Sequence, residues 1–99
     1  MKCKSYNLFF VNFANKTKFD IIISLVNGPL NVKEISKRVD EEQSAVSHNL
    51  AKLAACHILD VKKLGKERIY SLNKDTVIPM LKLVERHVIK NCPHSCCRK

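Results

Sequence analysis

The stretch SAVSHNLAKL, residues 44–53, combines an apolar stripe with an unusual opposite face. At about 100° per residue, Val46, Leu50 and Leu53 fall on one side, which predicts an amphipathic helix buried along that side. The other side carries short or small side chains with little charge: Ser44, Ser47, His48, Ala51 and Lys52. A helix exposed only to water usually carries Glu and Lys there. This face is therefore a candidate for contact with another molecule, and a neutral surface patch is the alternative.

Cap residues make this helix the second of a pair of short helices. Asn31 and Glu34 have the spacing of a capping box, so a helix is expected to begin after Asn31. Asp40 and Gln43 repeat that spacing and are expected to open the helix of residues 44–53. Only a tight turn remains between the two helices, and this arrangement predicts a helix-turn-helix.

Two further helices are predicted before this pair. Residues 5–14 are apolar nearly all round, so that helix must be buried on more than one side. A second helix is predicted from Thr17 to Val26, where Gly28 and Pro29 end it. Its expected core stripe consists of Phe19, Ile22, Ile23 and Val26.

A hairpin and a last helix are predicted after the pair. Residues 58–64 and 67–72 lose the helical period, and the glycine between them predicts a hairpin turn. Asn73 or Asp75 is expected to cap a last helix that runs to about residue 91. The order of elements predicts a mainly α fold with a small β-hairpin, a winged helix-turn-helix with the sequence α-α-α-α-β-β-α.

The chain of 99 residues is strongly basic, with a net charge of +9 and a pI near 9.5. Residues 61–72 of the predicted hairpin contain four cations and the single acid Glu67, and the cations are Lys62, Lys63, Lys66 and Arg68. Such clustering favours a polyanionic partner, most often nucleic acid, and a charge surplus for solubility is the alternative. No apolar run is long enough to span a bilayer, so we expect no membrane contact and a cytoplasmic protein.

The helix-turn-helix and the hairpin predict two kinds of contact with double-stranded DNA. The second helix of such a motif enters the major groove and meets base edges. The expected base contacts are Gln43, Ser44, Ser47, His48 and Lys52. The hairpin is expected to lie along the phosphate backbone, where Lys62, Lys63, Lys66 and Arg68 add affinity but little sequence information. Tyr70 is expected to pack in the core.

Five segments together resemble the ArsR/SmtB family over about residues 6 to 90. They are Lys18-Phe-Asp-Ile-Ile, Asn27-Gly-Pro-Leu, Val32-Lys-Glu-Ile, Gln43 to Leu53, and Gly65-Lys-Glu-Arg-Ile-Tyr-Ser-Leu. Lys18 stands where an Arg is usual, and Asp40 stands where a Gly is common. The resemblance implies a homodimeric bacterial or archaeal repressor that binds a palindromic operator and dimerises through its first and last helices. The residues expected between the subunits are Phe9, Phe13, Leu81, Val84 and Val88.

Members of this family often release DNA when a metal or an oxidant binds, and two common metal-site patterns are not intact here. Residues 31–38 contain no Cys. On the last helix, Val77 stands in place of the first His, and His87 is followed three residues later by Lys90.

The C-terminal tail, residues 92–99, offers a different set of ligands. Cys92, His94, Cys96 and Cys97 are thiols and an imidazole that suit zinc, cadmium or copper(I) as an effector. Cys3 and Cys56 are further candidate ligands. A redox switch through these thiols is a second interpretation, and a tail with no sensing role is a third. The odd count of five cysteines argues against a disulfide framework.

The sequence thus predicts a DNA-binding and dimerisation domain over residues 1–91, followed by the tail. The competing hypothesis is a winged helix used for protein–protein contact, in which the basic hairpin meets an acidic partner. Catalysis is not expected, because Ser47 and His48 are adjacent on a helix and point in different directions. No Asp/Glu pair or glycine-rich phosphate loop in the sequence is placed to organise chemistry.

Overall fold

The structure is a computed structural model and describes residues 3–92. The elements follow in the order α1 (Cys3–Ala14), α2 (Lys16–Ser24), β1 (Leu30–Asn31), α3 (Val32–Val39), α4 (Gln43–Ala55), β2 (Leu59–Leu64), β3 (Glu67–Leu72) and α5 (Val77–Asn91). The predicted order of helices and hairpin is confirmed, with β1 as an addition. We call the β2–β3 hairpin the wing. None of the helices in this part of the chain is long and apolar enough to cross a membrane.

The added strand β1 turns the wing into part of a three-stranded antiparallel sheet of order β1-β3-β2. Leu30 pairs with Tyr70, and Asn31 pairs with Ile69. Two residues are too few to show the alternation of a strand, so the sequence did not predict β1. The strand forms through its pairing with β3. Because Asn31 is also the N-cap of α3, the sheet is joined directly to the helix-turn-helix.

The core lies between α2, the helix-turn-helix and the inner side of the sheet. Its buried members are Ile21, Ile22, Leu25, Ile35, Val46, Leu50, Leu53, Ile58, Leu59, Tyr70, Leu72 and Val77. The predicted stripe of α4 and the core position of Tyr70 are therefore confirmed. The predicted stripe of α2 is wrong apart from Ile22, because Phe19, Ile23 and Val26 are exposed. Residues 21–23 are all isoleucine, so periodicity alone could not decide which side of this helix faces inward.

The predicted caps have mixed outcomes. The capping box of α3 is confirmed, since Asn31 Oδ1 accepts from the Glu34 N–H at 2.8 Å and Glu34 Oε1 accepts from the Asn31 N–H at 2.9 Å. The assignment of Asp40 as the N-cap of α4 is wrong, because Asp40 ends α3 and Glu42 is the N-cap, with no side-chain cap bond. Asp40 has a left-handed backbone with φ 58°, a conformation that Asp tolerates better than most residues and Gly best of all.

The prediction that Asn73 or Asp75 caps the last helix is wrong, because Thr76 is the N-cap of α5 and makes no side-chain cap bond. Asn73 instead closes the turn before the helix. Its Oδ1 accepts from the backbone N–H groups of Asp75 at 2.9 Å and Thr76 at 3.2 Å. The helix itself begins at Val77, later than the sequence predicts.

Candidate nucleic-acid interface

Helix α4 presents the predicted polar face to solvent. Val46, Leu50 and Leu53 are fully buried, so the rotation of the helix about its axis is set by the core. The five predicted base-contacting residues are all exposed: Gln43, Ser44, Ser47, His48 and Lys52. The structure therefore displays these side chains together on the outer side of the helix-turn-helix.

The turn before α4 is held by the buried residue Ser36 of α3. Its hydroxyl donates to the carbonyl of Glu41, and its own carbonyl accepts from the Asp40 and Glu41 N–H groups. These bonds fix the short connection between the two helices, and with it the direction in which α4 leaves the turn.

The C-terminal end of α4 is closed by a Schellman motif. His57 has a left-handed backbone with φ 59°, and its N–H bonds to the Ala54 carbonyl at 3.0 Å. The Ile58 N–H bonds to the Leu53 carbonyl at 3.1 Å, and both of these side chains are buried. Asn73 Nδ2 donates to the His57 carbonyl at 2.9 Å and so ties this end to the start of the α5 region. Both ends of α4 are therefore firmly positioned.

A concave groove separates α4 from the wing. Ser47, Ala51 and Ala54 line it from α4. Lys63, Lys66 and Arg68 line it from the wing, and Lys33 lines it from α3. Of the five predicted base-contacting residues, Ser47 alone lines this groove, where it lies with three of the four predicted backbone-contacting cations and with Glu67.

Lys33 was not among the predicted contacts, although the first helix of a helix-turn-helix crosses the DNA backbone. The feature that could have predicted this contact is the position of Lys33 in the first turn of α3, where its side chain is exposed. Lys62 is placed apart from the groove, because it alternates with Lys63 along β2 and belongs to the other side of the ribbon.

The wing is a regular hairpin with a two-residue turn at Gly65 and Lys66. Gly65 has φ +63° while Lys66 does not have a positive φ, as in a type II′ turn, which suits the twist of a hairpin. Lys63 and Arg68 are directly opposite each other across the strands. Asn31 Nδ2 lies 3.4 Å from Glu67 Oε1, which links the wing to the cap of α3.

Among the described side chains, the cations of the wing have no carboxylate partner. The one salt bridge over residues 6–92 joins Lys16 Nζ to Asp20 Oδ2 at 2.7 Å, and it raises the pKa of Lys16, chiefly through the hydrogen bond. Like charges opposite each other across a hairpin destabilise it, and the Lys63–Arg68 pair is such a case. The wing therefore presents unneutralised positive charge that a polyanion can balance.

Helices α1 and α5 leave a large apolar surface uncovered. Seven of their apolar side chains are 49% to 72% exposed: Tyr6, Leu8, Phe10, Val11, Leu83, Val84 and Ile89. Of the predicted dimer residues, Phe9, Phe13 and Leu81 are partly buried against the chain's own core. Val84 is exposed and Val88 is partly buried.

The predicted metal site lies almost wholly outside the described residues. Cys92 is the C-cap of α5, and its N–H bonds to the Val88 carbonyl at 2.8 Å. His94, Cys96 and Cys97 fall beyond residue 92. Among the described side chains, those of residues 6–92, no group of three or more His, Cys, Asp or Glu is arranged to hold a metal ion. The tail site stays a prediction.

A helix-turn-helix with a short polar outer face, flanked by a hairpin of unpaired cations, defines a winged helix-turn-helix DNA-binding protein. The sequence profile described as "Bacterial regulatory protein, arsR family" matches residues 15–61. The transcriptional activator HlyU of Vibrio cholerae is 32% identical over 73 residues, which cover 74% of this chain and 68% of HlyU. The HTH-type transcriptional regulator NmtR of Mycobacterium tuberculosis is 34% identical over 68 residues, 69% of this chain and 57% of NmtR. The chain belongs to the arsR family of bacterial regulatory proteins, and it is a DNA-binding transcriptional regulator.

Solved structures agree with this assignment. The structure of HlyU from Vibrio cholerae has a TM-score of 0.75 and 27% identity, covering 87% of this chain and 96% of that one. The homodimeric winged helix-turn-helix fragment of Mb0332 from Mycobacterium bovis has a TM-score of 0.82, covering 97% of this chain and 89% of that one. At 18% identity, the likeness to Mb0332 shows the shared fold alone.

Proposed function

We propose that this chain acts as a homodimer that binds a palindromic operator, with α4 in the major groove and the wing along the phosphate backbone. The observation that carries the proposal is the groove in which Ser47 of α4 faces the unpaired cations Lys63, Lys66 and Arg68. A duplex lying across this surface meets short polar groups at the base edges and positive charge at the phosphates.

The outer face of α4 suits base readout because its side chains are short. The helix has 13 residues and is about 20 Å long, and the major groove is about 12 Å wide. Ser44 and Ser47 allow a close approach and can donate or accept. His48 can reach N7 or O6 of a purine, and Lys52 can donate to a guanine. Gln43 can bond both N6 and N7 of an adenine.

The partner proposed for the exposed apolar surface of α1 and α5 is a second copy of the chain. Only Val77 of α5 is buried, and Ile78 and Leu81 pack partly against the core. A helix of 15 residues with so little support is marginal in water, so its apolar side needs a partner. Pairing of α1 and α5 across a two-fold axis covers both helices and places two α4 helices on one duplex, which requires a palindromic site.

Repression follows from this geometry where the operator overlaps a promoter, because the bound dimer then excludes the polymerase. HlyU is named an activator, so the position of the operator decides the direction of regulation. The site of action is the cytoplasm, where bacterial DNA lies.

The test begins with selection of bound fragments from genomic DNA, followed by titration of a selected duplex and a random duplex. Ser47→Ala and His48→Ala are each expected to weaken binding to the selected duplex by about 1–3 kcal/mol and to affect the random duplex less. Thr76→Ala is the matched control, because Thr76 is exposed on another element and makes no side-chain cap bond. Equal losses on both duplexes would contradict base readout by α4. Absence of salt-sensitive binding to any duplex would favour the competing hypothesis of a protein-binding winged helix.

A further inference from the structure

One face of the wing divides into an apolar half and a cationic half. Val61 is paired with Tyr70 across the strands, and Lys63, two residues along β2, is paired with Arg68. Side chains alternate along a strand, so these four lie on the same face of the ribbon. All four line the groove beside α4, which has a volume of about 620 Å³. The cationic pair lies nearer to the turn, and the apolar pair lies nearer to the domain.

Small side chains on α4 leave room opposite the apolar pair. Ala51 and Ala54 line the groove and are spaced three residues apart, so they share one side of the helix. Val61 is 45% exposed, although Tyr70 beside it is only 6% exposed. Phosphate contacts need cations and donors, so binding of the DNA backbone does not account for this apolar wall. Small-molecule sites combine such a wall with a few convergent polar groups.

The Tyr70 hydroxyl is a polar group in this wall that the fold does not use. The ring packs in the core, but among the described residues the hydroxyl makes no hydrogen bond. No fully buried polar atom of the described side chains lacks a partner, so the hydroxyl is reached by solvent. A buried tyrosine usually bonds its hydroxyl to a partner. Because Tyr70 lines the groove, a ligand bound there can be that partner.

The cationic half supplies a charge for such a ligand. Neither Lys63 nor Arg68 forms a salt bridge with a described carboxylate. Arg68 and Tyr70 are two residues apart on β3, so their side chains are neighbours on the same face. Glu67 is the one acid among the residues that line the groove, and it accepts from Asn31 Nδ2 at 3.4 Å. The groove therefore favours an anion, held beside an apolar wall.

We propose that this groove binds a small apolar carboxylate, of the class of the aromatic acids, and that this ligand competes with DNA. The carboxylate accepts from the Arg68 guanidinium and the Tyr70 hydroxyl, and the apolar body packs between Val61 and the two alanines of α4. A bound carboxylate takes Arg68 away from a phosphate, and its body fills the space between α4 and the wing. The competition rests on the proposed function, whereas binding of the ligand does not.

The first test is isothermal titration calorimetry of the DNA-free protein with 2-naphthoate. Two further probes separate charge from apolar contact: 2-naphthamide has the same rings without the charge, and acetate has the charge without the rings. Wild-type protein is expected to bind 2-naphthoate more tightly than either by about tenfold or more, because both contacts are needed. Equal affinity for the three probes, or no binding of 2-naphthoate at millimolar concentration, would overturn the inference.

Two variants test where the ligand binds. Tyr70→Phe removes only the hydroxyl and is expected to weaken binding of 2-naphthoate by about tenfold, the scale of one hydrogen bond to a charged group. The free energy of unfolding is expected to stay at the wild-type value, because the hydroxyl has no partner in the folded chain. Ala54→Leu fills the groove and is expected to abolish binding. Ala55→Leu, the same change at an exposed position that does not line the groove, is the matched control and is expected to bind like wild type.

Wild-type affinity for 2-naphthoate in both Tyr70→Phe and Ala54→Leu would overturn the site. Competition is then measured by fluorescence anisotropy of a labelled selected duplex. Saturating 2-naphthoate is expected to raise the apparent Kd for the duplex by about tenfold or more, and Tyr70→Phe is expected to need about tenfold more ligand for the same release. Binding of the ligand without any change in DNA affinity would overturn the competition. Failure of the ligand-free protein to bind any duplex would contradict the proposed function instead, and the calorimetry would still decide whether the groove holds the carboxylate.

Discussion

Removing one cation from the wing provides a quantitative test of how the protein contacts DNA. Lys63, Lys66 and Arg68 line the groove beside α4 and have no carboxylate partner, so each is available to one phosphate. A dimer then neutralises about six phosphates through its two wings, and these contacts contribute about −5 to the slope of log Kobs against log salt. Between about 50 and 200 mM salt this slope weakens binding about a thousandfold.

Lys66→Ala removes two of these contacts from the dimer, one in each wing. The slope is expected to become shallower by about 2, and the loss of affinity over the same salt range to shrink about tenfold. Specific and random duplexes are expected to be affected alike, because phosphates carry no sequence information. Fluorescence anisotropy of a labelled duplex at four or more salt concentrations measures the slope directly.

Lys74→Ala is the matched control for this experiment. Lys74 is an exposed lysine that borders a different groove, one formed by the loop after α2, the sheet and the start of α5. It has the same charge and is expected to leave the slope near the wild-type value. A slope that does not change in Lys66→Ala, or that changes equally in both variants, would refute the assignment of the wing to the DNA backbone.

Four further changes test other parts of the structure. Phe10→Glu places a charge on the exposed side of α1 and is expected to give a folded monomer that no longer binds a palindromic duplex tightly; a dimer by analytical ultracentrifugation would reject the proposed interface. Leu50→Ala is expected to lower the free energy of unfolding by about 2–5 kcal/mol, because Leu50 is fully buried, and chemical denaturation at fixed protein concentration measures the loss. Asp40→Gly is expected to leave stability unchanged or raise it by up to about 1 kcal/mol, since Gly adopts the left-handed φ of 58° more readily; clear destabilisation would point to an unrecognised role of the carboxylate. Truncation after Asn91, titrated with zinc, cadmium and copper(I) beside the full chain, is expected to abolish metal binding and metal-induced release from DNA, and equal metal stoichiometry in both would reject the tail site.

Signals that act within one or two turns of a helix were sufficient to predict most of the local structure. The stripe of Val46, Leu50 and Leu53 predicted which side of α4 is buried. These residues have helical spacing, so they share one side of the helix whatever element packs against it. The Asn31–Glu34 capping box predicted the start of α3, since both of its hydrogen bonds form within four residues. The glycine of the wing predicted the turn, because a residue with positive φ is required there.

Where several local solutions were equally good, the sequence could not choose between them. The apolar run of α2 suits more than one side as the core face, and contact with α3 and α4 selects Ile21, Ile22 and Leu25. Asp40 could serve as an N-cap or as a left-handed C-cap. The bonds of Ser36 to the following turn make it the C-cap.

The sequence by itself determined that this protein is a basic winged helix-turn-helix, because periodicity, caps and clustered charge each depend on residues only a few positions apart. Only the tertiary structure decided how its parts face one another. Strand β1 exists because residues 30–31 meet residues 69–70, about forty positions away. The groove that joins Lys33, Ser47 and Arg68 depends on the same closure of the chain. Such contacts depend on the packing of whole elements, and no short segment of sequence encodes them.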